Sequence, residues 1–248
     1  MEPLAPSPGV RRGEPTWGVL DALVGWLVAA TGGVLVGSMV MAAFGYGVDD
    51  RPVEDAPITL LALAQYPPLW LGLVGVPVFV AWSKGRGVVD DFKLRMRASD
   101  LVGIPIGLVT QLVLVPLVSY PVLWLSGTTV DDLSEPAREL ADKAQASSTI
   151  GIVLFFAIVV VGAPIAEEIF FRGLALRAFS KQWGPAVGLL ASSVLFGLTH
   201  FQLIQFPALV MAGAVFGWLA LRFDRLGPAI LCHMAFNATT VVNILWLA

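Results

Sequence analysis

The 248-residue chain is 57% hydrophobic and only 13% charged, with a mean hydropathy of +0.81. An ordinary soluble domain carries roughly 25% charged residues, so a water-soluble globule is excluded and a polytopic membrane protein is indicated. The net charge of -3 is spread over loops without a basic stripe or tail, which excludes nucleic acid as an expected partner. The single cysteine, Cys232, permits no intrachain disulfide and no cysteine-built zinc site, and it reads as a small core residue.

Residues 1–16 hold four prolines with Arg11 and Arg12 and read as a disordered N-terminal arm. The apolar stretch from Trp17 to Tyr46 is too long for a signal-peptide core and fits a retained first span. Further spans are expected over Ile58–Trp82, Leu101–Leu125, Thr149–Phe179, Ala186–Leu203, Phe206–Leu221 and Leu226–Trp246. The expected fold is therefore all-α, a polytopic bundle of about seven transmembrane helices. Three of them occupy 17–125, a loop follows over 126–148, and a four-helix core occupies 149–248. Trp17, Trp82, Trp124, Trp183 and Trp246 fall at span ends, where an amphipathic indole prefers to lie. The GxxxG spacings Gly33/Gly37, Gly103/Gly107 and Gly213/Gly217 read as close packing within the bundle.

Loop charges set the orientation. The second loop holds Lys84, Arg86, Lys93, Arg95 and Arg97, whereas the first has only Arg51 among Asp49, Asp50, Glu54 and Asp55. The positive-inside rule makes the second loop cytoplasmic. The acidic third loop, with Arg138 and Lys143, is then extracytoplasmic. Arg172, Arg177, Lys181, Arg222 and Arg225 return inside, so the N-terminus is expected in the cytoplasm. Anionic-lipid attraction is a secondary role for the basic loop.

Within the apolar core sit Glu167, Glu168 and Arg172, followed by the chain's two histidines, His200 and His233. Ionisable groups in hydrocarbon cost about 2.5 to 3.5 kcal/mol each on insertion scales, so a membrane helix keeps them when they pair, line a cavity or do chemistry. At about 1.5 Å per residue, Glu167 and His200 both lie about 25 Å from the hairpin tip at Gly184, on facing antiparallel helices. His233 lies about 12 Å in from Arg225, so the three share a depth if that hairpin projects about 13 Å beyond the last helix. This puts the cavity in the cytoplasmic half.

Glu168 and Arg172 are i,i+4, a spacing that pairs a carboxylate with a cation and leaves Glu167 the freer carboxylate. Phe196 and His200 share that spacing, with the phenyl as an apolar wall beside the imidazole, as do His233 and Asn237, which project into one space. Pro164 removes a backbone donor one turn before Glu167 and frees a carbonyl that must be satisfied within the protein.

Glu167-Glu168 with Arg172, Phe196 with His200, and His233 with Asn237 resemble, in order, the EExxxR, FxxxH and HxxxN motifs of the CAAX protease and bacteriocin-processing family, also called the abortive-infection family. That family is similar to the type II CAAX prenyl endopeptidases. The resemblance covers about Thr149 to Ala248. It implies an intramembrane endopeptidase in which Glu167 activates water, His200 assists, and His233 with Asn237 stabilises the oxyanion. Glu168, Arg172 and Phe196 would support the site.

Peptide hydrolysis needs an activated water, stabilisation of the tetrahedral oxygen and a proton for the leaving amine, and the cluster has a candidate for each. Ser192, Ser193 and Thr199 lie nearby, but no Gly-x-Ser-x-Gly pattern accompanies them. Metal-free glutamate catalysis with no cofactor is favoured. Zinc held by Glu167, His200 and His233 is the alternative, although the signature is not His-Glu-x-x-His. A proton-coupled transporter would also bury Glu and His, but no internal repeat links 17–125 to 149–247. A non-catalytic scaffold, or a peptide-immunity or maturation factor derived from such a protease, is the other alternative. The composition reads as that of a high-GC bacterium, so the expected setting is a bacterial plasma membrane. The expected substrate there is a secreted peptide or small membrane protein. The chain's own end, Leu245-Trp246-Leu247-Ala248, has no CAAX cysteine and is not a prenylation target.

Overall fold

Prolines and glycines punctuate the chain where its helices begin and end. Pro185, Pro207 and Pro228 each sit in the first turn of a helix, where a missing N–H costs nothing. Gly184, at φ 84°, and Asp224, at φ 45°, close the helices before two of them in left-handed conformations. The computed structural model describes residues 14–48, 51–129, 138–139, 142–143 and 149–247. The long helices are α1 (Val19–Ala43), α2 (Ile58–Lys84), α3 (Ala98–Ser126), α4 (Thr149–Trp183), α6 (Phe206–Phe223) and α7 (Gly227–Leu245), with the shorter α5 (Pro185–Leu198) between α4 and α6. Among the described residues six are long and apolar enough to cross a membrane, which makes the chain a multi-pass, all-α membrane protein. The expected arm falls almost wholly outside the described residues, as does most of the loop over 126–148.

The fifth helix departs from expectation. It ends at Leu198, not Leu203, and its 14 residues reach only about 21 Å, short of the roughly 30 Å hydrocarbon core. The local cause is a pair of side chains that compete for one carbonyl. The Thr199 hydroxyl donates to the Phe196 carbonyl at 2.8 Å, and His200 Nδ1 reaches the same oxygen at 2.7 Å. Phe201 then adopts φ 55°, and the chain turns back into α6. His200 therefore belongs to a turn, not to a helix.

Small residues let backbones approach closely. Ala22, Gly25, Ala29, Gly33 and Gly37 form the buried stripe of α1, and a Cβ on Gly33 or Gly37 would strike the backbone of Leu69 or Ala64 in α2. Gly103 and Gly107 of α3 abut the backbone of α7 at Pro228 and Cys232, while Gly213 and Gly217 of α6 face Ser193 and Leu189 of α5. All three GxxxG pairs thus pack within the chain. Gly107→Leu is expected to destabilise the bundle by at least about 1 to 3 kcal/mol, the usual range for overpacking, read as a lower midpoint in detergent unfolding. Cys232 is fully buried in this contact, as a core residue would be.

Outward faces of the helices are apolar and exposed, Leu20, Met39, Leu71, Leu117 and Leu125 among them. Trp82 and Trp124 are exposed at helix ends, as an interfacial indole should be. Trp17 is not. It is buried against Phe92 with ring centroids 5.4 Å apart, because Lys181 folds over it and donates to its carbonyl. The Trp246 side chain lies outside the described residues.

Ion pairs gather at one end of the bundle: Lys84–Asp21, Arg86–Asp91, Arg95–Asp90, Arg177–Asp224 and Arg225–Asp100. Arg177 is level with the start of α7, so α4 runs about 9 Å further before its tip, somewhat less than the 13 Å anticipated. Glu168 then lies about 13 Å in from Arg177 and His233 about 12 Å in from Arg225, at matched depth. Arg172 is not among the end charges; it is fully buried. A cysteine introduced at Arg86 is expected to label only from the cytoplasmic side and one at Asp55 only from outside. The buried Cys232 keeps the background of this labelling experiment low, and the reverse pattern would invert the bundle.

Candidate active site

Helix α4 builds the site by leaving the α-helical register twice. It passes through π-helical segments over Ala157–Gly162 and Ile169–Ala175, on either side of the two glutamates. Such bulges are characteristic of functional positions. Pro164 has no N–H to give the carbonyls one turn earlier, and the Asn237 amide of α7 supplies the missing donor, Nδ2–H to the Val159 carbonyl at 2.7 Å. The carbonyl anticipated from Pro164 is thus satisfied by a residue of the third motif. One of the two N–H groups of Asn237 is committed to this brace, which leaves only the other to face a substrate.

Glu168 is the hub of the charged cluster, with no solvent exposure. Its Oε1 accepts from Arg172 Nη1 at 2.9 Å and from His233 Nδ1 at 2.9 Å. Arg172 also donates from Nη2 to the Gly213 carbonyl of α6 at 3.1 Å, so one guanidinium joins α4 to α6 while the carboxylate joins α4 to α7. A carboxylate paired with arginine only accepts, so His233 carries its proton on Nδ1 and turns Nε2 the other way. That Nε2 lies 3.9 Å from Glu167 Oε2. Glu167 retains 20% side-chain exposure against none for Glu168. Two adjacent identical side chains thus occupy a locked and an open environment.

Aromatic rings hold the cluster in place. The Phe196 ring lies 4.7 Å from the His200 ring and 5.9 Å from that of His233, and Arg172 sits 4.4 Å over its face. His233 also stacks on Phe216, with centroids 4.5 Å apart and planes 20° from parallel. Phe196 is therefore the wall between the two imidazoles. His200 Nδ1 is a donor because a carbonyl can only accept, so in its neutral form it likewise presents a bare Nε2.

Six of the seven residues singled out from sequence are thus joined by direct contacts: Glu168, Arg172, Phe196, His200, His233 and, at 3.9 Å, Glu167. Asn237 sits one turn from His233 but points its donor at α4. Sequence reasoning did not anticipate Phe216, or Tyr66 of α2, which comes close enough to Glu167 to interact with it electrostatically. Neither belongs to a spaced motif. Among the described residues, no group of three His, Cys, Asp or Glu side chains converges closely enough to hold an ion as they stand. Glu167 Oε2 and His233 Nε2 are 3.9 Å apart, against about 3.3 Å between two ligands held at roughly 2 Å by a tetrahedral zinc, and the bond from His200 Nδ1 to a turn carbonyl leaves its Nε2 free.

The architecture and this cluster define a polytopic membrane protein with a carboxylate and two imidazoles gathered at one depth of an apolar bundle. Residues 149–239 match the family described as type II CAAX prenyl endopeptidase Rce1-like. The chain is thus similar to type II CAAX prenyl endopeptidases over its C-terminal region, under half of its length. It is also similar to the Bacillus subtilis (strain 168) protein named "Putative membrane peptidase YdiL", 28% identical over 109 residues, which are 44% of this chain and 43% of that protein. The chain thus spans less than half the length of this curated relative. No solved structure matches.

Proposed function

We propose that the protein is an intramembrane endopeptidase that hydrolyses a peptide bond in a membrane-associated or secreted peptide, using water activated by Glu167. The observation that carries this reading is the division of labour between the glutamates: Glu168 is spent on Arg172 and His233, while Glu167 faces His233 Nε2 without a bond of its own. A gap of 3.9 Å suits one water bridging the two groups. Glu167 takes a proton from that water as its oxygen attacks the scissile carbonyl carbon. Asn237, through its uncommitted N–H, and His233 Nε2, when it carries a proton, donate to the resulting oxyanion. Glu167 then returns its proton to the leaving amine. His200, fixed by the Phe196 carbonyl, orients the water or the substrate from the opposite wall.

The likeness to type II CAAX prenyl endopeptidases and to a Bacillus putative membrane peptidase supports peptide cleavage, and a prenylated CAAX peptide is what the former suggests. A bacterial secreted peptide or small membrane protein fits the composition better. The non-catalytic alternative is separated by experiment. Protein reconstituted in liposomes with a library of membrane-anchored peptides is expected to release cleavage products, and Glu167→Gln protein is expected to retain an uncleaved substrate through purification. The same preparation is expected to be essentially metal-free and insensitive to chelators. Zinc near one equivalent, with turnover lost on chelation and restored on replenishment, would replace glutamate chemistry with metal chemistry at the same residues. Absence of cleavage by wild type alongside correct folding would favour a scaffold.

A further inference from the structure

At the cation-rich end of the bundle, remote from the glutamates, a cavity of about 280 Å³ opens between the segment before α1, the α2–α3 connection and the last turns of α4. Trp17, Arg86, Lys93, Arg177 and Lys181 line it, together with Glu14, Asp90 and Asp91. The acids do not balance the cations on the inner wall. Asp91 is bound by the Arg86 side chain and backbone, and Asp90 is bound by Arg95. Asp224 alone serves both Arg177, at 3.0 Å, and Lys93, at 3.9 Å. Lys181 spends its ammonium on the neutral carbonyls of Pro15 and Trp17. Lys93 and Arg177 therefore share one carboxylate, which is itself largely exposed, and Glu14 is the one further acid on the cavity to set against Lys181.

Arg177 adds a directional feature. Its Nη1 donates to Asp224, but Nε and Nη2 are buried and have no acceptor among the described residues. These two atoms form the edge of the guanidinium whose N–H bonds run parallel, the geometry that matches two oxygens of a carboxylate or phosphate. The indole Nε1 of Trp17, on the same cavity, is also a buried donor with no acceptor among the described residues. A buried donor left without an acceptor is costly. Both residues line one cationic cavity, which suits an acceptor with more than one oxygen and negative charge.

We propose that this cavity binds a phosphate-type anion, taken from an anionic phospholipid headgroup or from solution. Arg177 provides the fork, Trp17 a single donor, and Lys93 and Lys181 the charge. The site ties the segment before α1 to the α2–α3 connection, α4 and, through Asp224, the α6–α7 turn, so occupancy stabilises the bundle at this end. It does not depend on the proteolytic reading.

Two arms test it with the full chain. Thermal unfolding in detergent is followed in inorganic phosphate against chloride at matched ionic strength. Retention of lipid is followed by native mass spectrometry after reconstitution with phosphatidylglycerol mixed into phosphatidylcholine. We expect one phosphatidylglycerol retained per chain, or a rise in unfolding temperature with phosphate alone. The first result assigns the headgroup as the source and the second a free anion. Arg177→Lys keeps the charge but loses the fork and is expected to weaken binding about tenfold. Trp17→Phe keeps the packed ring, loses one donor and is expected to weaken binding a fewfold, which guards against misfolding of the first variant. Arg222→Gln, an exposed cation at the same end outside the cavity, is the control and is expected to bind as wild type. No response in either arm, or equal losses in Arg177→Lys and Arg222→Gln, would overturn the site in favour of diffuse surface attraction.

Discussion

Glu167→Gln is expected to lower peptide hydrolysis by a factor of about one hundred or more while leaving the bundle assembled, since removing a general base typically costs at least that much. The substitution is nearly isosteric, and Glu167 makes no close ion pair: the imidazole nitrogen facing it, His233 Nε2, is 3.9 Å away. Stability should therefore hardly change. Glu168→Gln serves as the contrast, because Glu168 is bound by both Arg172 and His233, and its loss is expected to reduce stability as well as rate. Initial rates on a reconstituted peptide substrate, together with unfolding midpoints for both variants, separate the two roles. Near-normal turnover by Glu167→Gln would remove it from the reaction.

Arg172→Met carries the largest expected stability effect. The guanidinium is 1% exposed and faces a carboxylate with no exposure, so deleting it leaves an uncompensated buried charge and strips the Gly213 carbonyl of its donor. Breaking such a pair from one side typically costs about 3 to 5 kcal/mol, whereas replacing both partners with apolar residues of similar volume is often neutral or stabilising. The double variant Glu168→Leu with Arg172→Met should thus regain most of the stability lost by the single one. It should not regain activity, because His233 would have lost the acceptor that orients it. A denaturant midpoint for each corner of this cycle, with activity measured alongside, checks both statements. Equal loss of stability in the single and double variants would show that the pair is not energetically coupled.

Helix boundaries and the grouping of motif residues were readable from the chain because both rest on short-range spacing. Glu168 and Arg172 pair as an i,i+4 relation demands. Phe196 and His200 touch at that spacing although His200 has left the helix. Contacts between helices were less readable. The bond from His233 to Glu168 depends on the registration of α7 against α4, and in one dimension His233 could as well have met Glu167 alone. Asn237 follows the same logic: its spacing from His233 is plain, but its bond to Val159 exists because a π segment and Pro164 expose that carbonyl. Trp17 misled for a related reason. An indole at a span end reads as an interfacial anchor until a lysine from the far end of the chain, Lys181, covers it.

On the proposed reading, the early stop of α5 bears on how water would reach a site inside hydrocarbon. A rod about 21 Å long cannot match a lipid leaflet pair of ordinary thickness, so acyl chains beside Leu198 and the exposed Phe201 and Leu203 must compress or splay to meet the polar turn carrying Thr199, His200 and Gln202. The resulting dimple carries the aqueous boundary toward the imidazole of His200. On the proposed reading, bilayer thickness is expected to set the rate: turnover in liposomes should be faster in short-chain lipids, which relieve the mismatch, than in long-chain lipids, which close over the turn.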